Sequence, residues 1–226
     1  SSKEAAGVVA SAGGVEAAHR MLSTTHSQQA LGLLWSLSAI PGTLDQFNSE
    51  TLRDMVRIGR AVDSKDGWRQ TAALSALHNL LCYSGYAKVL DAGSLGLAVE
   101  VLDGGNGITL GAQAAAALFL DQCCFDKCSK SSAVLALRLP VLIDILRRVR
   151  AAGEDASSSS SLPSRGVYAS APSAEVEVLL GHVLSLLWNA SDDVFFADAT
   201  AWSRFTERLG QSDVVEALQG VLACGA

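Results

Sequence analysis

An all-α fold of stacked helical units is what this sequence predicts, and three observations carry the prediction. In QTAALSALHNLLC, Gln70 to Cys82, the residues Ala73, Leu74, Leu77, Leu80 and Leu81 recur at three and four, the spacing of one helix face. The pattern returns in QQALGLLWSLS from Gln28, GAQAAAALFLD from Gly111 and LLGHVLSLLWNAS from Leu179. Finally, 49% of residues are hydrophobic but only 6% aromatic, a balance that suits helices packed through small side chains.

The chain opens with EAAGVVASAGGVEAAHRMLSTTHSQQALGLLWSLSA, which reads as three short helices. Val8 and Val9 fall in the first, Ala12-Gly13-Gly14 breaks it, and Val15, Ala18 and Leu22 mark the second. The third runs from Gln28 to Ala39, where Pro41-Gly42 stops and reverses the chain. The next unit places Leu52, Met55, Val56 and Val62 on one face and Arg53, Arg57 and Arg60 opposite, turns at Asp63 to Gly67, and enters a long helix at about Trp68. From Tyr86 a third unit repeats the scheme, with Asp91-Ala92-Gly93 as its break and Val99 to Leu102 in its second helix. A fourth begins in SAVLALRLPVLIDILRRVRAAG and is interrupted by EDASSSSSLPSRGVYASAPS. That polar composition buries too little apolar area to offset its ordering entropy, so a mobile insertion is expected. Its third helix resumes at Glu175 and ends at Ser191.

Aligning Trp35, His78, Phe119 and Trp188 gives steps of 43, 41 and 69 residues, the last longer by roughly the insertion. Steps of about 40 to 47 mark helical repeats. Gly-containing breaks and third helices ending in Leu34-Trp35-Ser36-Leu37, Leu77-His78-Asn79-Leu80 and Leu187-Trp188-Asn189-Ala190 resemble the armadillo family, as do Asp91-Ala92-Gly93-Ser94-Leu95 and Leu139-Pro140-Val141-Leu142. The resemblance covers most of residues 5 to 193 and implies an armadillo-type right-handed α-solenoid. One array over 1–226 is expected, in units of about 5–40, 50–83, 85–122 and 129–193, with the insertion at 153–173 and a partial or capping unit at 194–226.

The same resemblance implies that the third helices line a concave groove. Its rows would be Ser36, Asn79, Leu120 and Asn189; four residues back, Gly32, Ser75, Ala116 and Ser185; and seven back, Gln29, Ala72, Gln113 and His182. Amides at these places can bind the backbone of an extended peptide, and small side chains let it approach. Small residues equally serve helix packing. Nuclear-import adaptors of the family carry Trp where this chain has Ser75 and Ser185, which speaks against Lys-rich localisation peptides as cargo. Trp35 and Trp188 are expected to face elsewhere and pack.

A formal net charge of −6 disfavours general nucleic-acid binding. Five cysteines cannot all pair within one chain, and Cys82 reads as a buried thiol in an apolar run, so the cytoplasm, cytoskeletal structures included, or another reducing intracellular compartment is expected. No apolar run is long enough for a membrane span, and no targeting signal is visible. Cys123, Cys124 and Cys128 lack the fourth ligand zinc needs, the four histidines form no ligand pair, and Asp103 to Gly107 lacks the Lys-Ser/Thr of a phosphate cradle. Neither metal nor cofactor is predicted, and no catalytic motif is found. Arg147, Arg148 and Arg150 suit a helix C-terminus, Ser157 to Ser161 could accept phosphate, and the sequon Asn189-Ala190-Ser191 falls inside a helix.

The expected function is therefore a non-catalytic scaffold or adaptor with a protein partner, within a larger intracellular assembly. Two alternatives are a chaperone regulator resembling an Hsp70 nucleotide-exchange factor and the substrate arm of a ubiquitin ligase.

Overall fold

The computed structural model describes residues 7–9, 11–61, 67–105, 107–126, 129–130, 140–148, 173–192 and short pieces between 199 and 219. Among the described residues every regular element is a helix and there is no strand. In chain order these are α1 (Gly14–Met21), α2 (Ser27–Ser38), α3 (Ser49–Arg60), α4 (Trp68–Ser84), the short α5 (Tyr86–Leu90), α6 (Ser94–Asp103), α7 (Leu110–Cys123) and α8 (Ser173–Ser191). Residues 140–148 are helical as well. Most of the insertion and most of 194–226 lie outside the described residues, as do Val62, the expected turn from Asp63 up to Gly67, Arg150, Ser157 to Ser161, Cys128 and Cys224.

The predicted breaks are where the backbone needs them. Gly13 (φ 79°) and Gly93 (φ 86°) sit in the left-handed region just before α1 and α6, a conformation that costs other L-residues about 1–2 kcal/mol. Side chains start two other helices: Asn48 accepts from the Thr51 amide at 2.8 Å, and Thr109 from the Ala112 amide at 3.3 Å. At Pro41-Gly42 the expected reversal is replaced by a 3-10 turn, Pro41–Gln46. The fixed φ of proline suits a first helical position, and the buried Thr43 hydroxyl donates to the Leu37 carbonyl at 2.6 Å, closing the end of α2.

The helices form two layers. α2, α4, α7 and α8 pack in series, and α1, α3 and α6 each pack on the longer helix that follows. Side-chain bonds join residues far apart in the chain. His19 meets Asp54 at a separation of 35 residues, Arg60 meets Glu100 at 40, Asn79 meets Ser38 at 41 and Tyr86 meets Gln122 at 36. The helices α4 and α7 run parallel, since Gly67 lies against Thr109 at their starts and the Tyr86 hydroxyl donates to the Gln122 carbonyl at their ends.

One hydrophobic core runs from Val15 to Ala190. It takes in Leu74, Leu77, Leu80 and Leu81 of the repeated pattern, together with Leu142, Ile145 and Leu146 of the 140–148 segment. Full burial of each such leucine contributes about 1.5–3 kcal/mol. A glycine at Gly59 lets α3 approach closely, for a Cβ there would stand 2.9 Å from Leu97 and 3.1 Å from Ala73. No helix among the described residues is long and apolar enough to cross a membrane.

Candidate functional site

The structure divides the ten candidate groove residues into three groups. Gln113 and Ala116 are buried, Gln113 to 4% exposure, and neither is open to a partner. The Gln113 amide instead donates to the Leu102 carbonyl at 3.1 Å and fills the space under Gly104, tying α7 to the end of α6. Ala72 and Leu120, which complete the three rows, are buried with them. The physical reason is that α7 lies between α4 and α8 and is apolar on nearly every face, so the groove face inferred from its neighbours is covered.

A second group holds neighbouring helices together. The Asn79 amide donates to the Ser38 hydroxyl at 3.0 Å, bridging α4 to α2. Asn189 donates to Asp121 Oδ1 at 2.7 Å, and the Ser185 hydroxyl donates to Asp121 Oδ2 at 2.8 Å, bridging α8 to α7. Asp121 is only 8% exposed, so these two donors replace the water that its carboxylate has lost. Gly32 belongs here too, because a Cβ would come within 3.3 Å of the Trp68 ring. The sequon asparagine is thus engaged inside a helix.

Four residues remain accessible. Gln29 and Ser36 are exposed, and Ser75 and His182 are half-buried. The Ser36 hydroxyl turns back to the Gly32 carbonyl at 3.0 Å. Beside them His78 lies near Asp121 and His182. Burial holds its imidazole below the ordinary value, aided by His182 and opposed by the Asn79 side chain and Asp121. Cys82 is not the buried thiol expected from its apolar run. It is exposed in the last turn of α4, with its sulfur 3.9 Å from His78 Nε2. Cys123 and Cys124 are the buried thiols; burial, with Asp121 nearby, pushes Cys124 up to about 12, and burial raises Cys123 as well.

The largest departure from expectation is aromatic. Trp35 and Trp188 do not pack inside: Trp188 is 77% exposed and Trp35 37%. Tyr83 and Phe125 are exposed as well. Each of the four stands at or just past the C-terminal end of a successive helix of one layer: Trp35 in α2, Tyr83 in α4, Phe125 after α7 and Trp188 in α8. These ends are neighbours, as the bonds Asn79–Ser38, Tyr86–Gln122 and Asn189–Asp121 require. Sequence reasoning missed Tyr83 and Phe125, whose signal was an aromatic at each helix terminus, and it missed Asp121, a lone acid closing an apolar run.

No family model and no curated protein matches this chain. Among solved structures it is similar to an engineered protein of the Northeast Structural Genomics Consortium at 18% identity and a TM-score of 0.50, over 93% of this chain and 97% of that one. A second engineered protein from the same consortium aligns at 18% identity and a TM-score of 0.49, covering 98% and 83% of the two chains. The first likeness bears on the arrangement of the helices alone.

Proposed function

We propose that this chain is a non-catalytic protein-interaction array, an armadillo-type right-handed α-solenoid that serves as a scaffold or adaptor. The observation that carries the reading is the aromatic edge, with Trp35, Tyr83, Phe125 and Trp188 exposed at adjoining helix ends. Aromatic side chains supply large contact area at low entropic cost and dominate the energetics of protein interfaces. Singly, an exposed Trp needs no explanation; four on one edge do. The helical layers and the bonds that join successive expected units at 35, 40 and 41 residues support the solenoid.

The partner that fits is an extended segment with apolar anchors, its backbone meeting the accessible Gln29, Ser75 and His182 while its anchors seat on the aromatic edge. The net charge of −6 favours basic flanks on that segment and disfavours phosphate-rich ligands.

The test is crosslinking purification from cells with wild type and with a variant carrying Trp35→Ala, Tyr83→Ala, Phe125→Ala and Trp188→Ala. Loss of the crosslinked partner with unchanged helical content is expected. A partner retained by the variant, or crosslinks confined to α1, α3 and α6, would overturn the reading.

A further inference from the structure

The helix ends that adjoin along the aromatic edge, those of α2, α4, α7 and α8, are all C-terminal. A helix C-terminus carries about half a negative charge on its last carbonyls, and a Lys or Arg of the same helix commonly compensates it. The last turns of these four helices hold no basic residue. The last turns of α1 and α3 do, with His19 and Arg20 in one and Arg57 and Arg60 in the other.

Neutral groups reach the end carbonyls instead. The Ser38 hydroxyl donates to the Trp35 carbonyl at 2.7 Å, the Tyr86 hydroxyl to that of Gln122 at 3.2 Å, and the Ser191 hydroxyl to that of Trp188 at 2.7 Å. A hydroxyl completes a hydrogen bond but leaves the negative pole of the helix in place. The buried Lys130 ammonium eases one end, donating to the Asp192 carbonyl just past α8, and Lys88 belongs to the last turn of α5. Asp126 and Asp192, which directly follow Phe125 and Ser191, add acidic side chains to the edge. The exposed rings attract positive charge as well, because an aromatic face is negative.

We propose that the aromatic edge holds arginine side chains of its protein partner, their guanidinium planes stacked on Trp35, Tyr83, Phe125 and Trp188 beside the negative helix ends. This rests on the edge being the protein-binding surface and names the chemistry of what that surface takes. Arginine fits better than lysine, because its planar cation stacks on a ring and gives up its water more readily. An anion is repelled by the helix ends and by the net charge of −6. The site lies at the helix ends and not along the groove rows.

Fluorescence-anisotropy titration of labelled peptides with the full chain tests this, the peptides being alike except for arginine, lysine or citrulline between their leucines. Citrulline has the shape of arginine without its charge. The arginine peptide should bind saturably and about tenfold tighter than the citrulline peptide, with lysine between them, the factor that one cation–π contact and one helix end together supply. In the variant carrying Trp35→Ala, Tyr83→Ala, Phe125→Ala and Trp188→Ala the preference should vanish. Should that variant not fold, Trp188→Leu decides, because the ring is 77% exposed and leucine keeps an apolar contact: the preference for arginine should fall about threefold. An undiminished preference in the variant, or no saturable binding of the arginine peptide, would overturn the proposal. Equal affinities for arginine and citrulline, both lost in the fourfold variant, would overturn it while leaving the edge a protein-binding surface of apolar character. Loss of the crosslinked partner in cells decides that broader reading separately.

Discussion

At Asp121 a carboxylate nearly out of water is held by two side chains of the next helix, Ser185 and Asn189. Such a group stands or falls with its donors. Replacing Asn189 by Ala removes the 2.7 Å bond and leaves Oδ1 buried without it, which by the usual cost of an unmade bond to a charged group should destabilise the fold by about 1.5–3 kcal/mol. Urea unfolding of Asn189→Ala checks this. From sequence alone the residue reads as a groove asparagine whose loss spares stability, and a variant as stable as wild type would restore that reading. Asn79 bonds to a neutral hydroxyl, so Asn79→Ala should cost less, about 0.5–1.5 kcal/mol. What a one-dimensional register cannot reveal is the partner across the helix interface. The amides were legible; their acceptors, Asp121 and Ser38, were not.

At the scale of elements, helix starts are coupled between units. Gly67 precedes α4 at φ 61°, and a Cβ on it would collide with Thr109, whose hydroxyl caps α7. Gly67→Ala should therefore carry both the left-handed backbone cost and the loss of a cap, about 2–3 kcal/mol together. Gly93 has the same kind of backbone, but a Cβ there would meet nothing within 4 Å. Gly93→Ala should cost only the backbone share, about 1 kcal/mol. Equal chemical-denaturation midpoints for the two variants would show that the contact with Thr109 carries no weight. The breaks at Gly13, Gly67 and Gly93, and the extents of α4 and α8, were all readable from glycine placement and apolar spacing. The 3-10 turn at Pro41 was not, because proline ends one helix and opens another with equal ease, and the choice rested on the Leu37 carbonyl seeking the Thr43 hydroxyl.

Across the whole molecule, stability should fall with acid in two windows. Burial lowers the His78 pKa below 6.5, so the unfolded chain binds more protons there and stability declines as pH drops from about 6.5. Asp54 behaves in the opposite chemical sense with the same outcome. Burial raises its pKa, but the hydrogen bonds from His19 and Arg57 outweigh that and hold it below 3.8, so its contribution is present above 3.8 and lost beneath it. Urea unfolding between pH 7.5 and 3 should show both declines, and His78→Gln should abolish the upper one alone. An upper decline unchanged in that variant would reassign it to another group.

The all-helical character and the interval of about 40 residues follow from the order of side chains, because helix periodicity and glycine breaks are local properties that each segment carries with it. Which faces of those helices stay open is not local. Gln113 and Gln29 hold equivalent places in the register expected from sequence, yet one is enclosed and the other exposed. The two tryptophans meet water while Phe119, aligned with them, is fully buried. Exposure is settled only when a neighbouring helix arrives, and its arrival depends on contacts between residues some 40 positions apart.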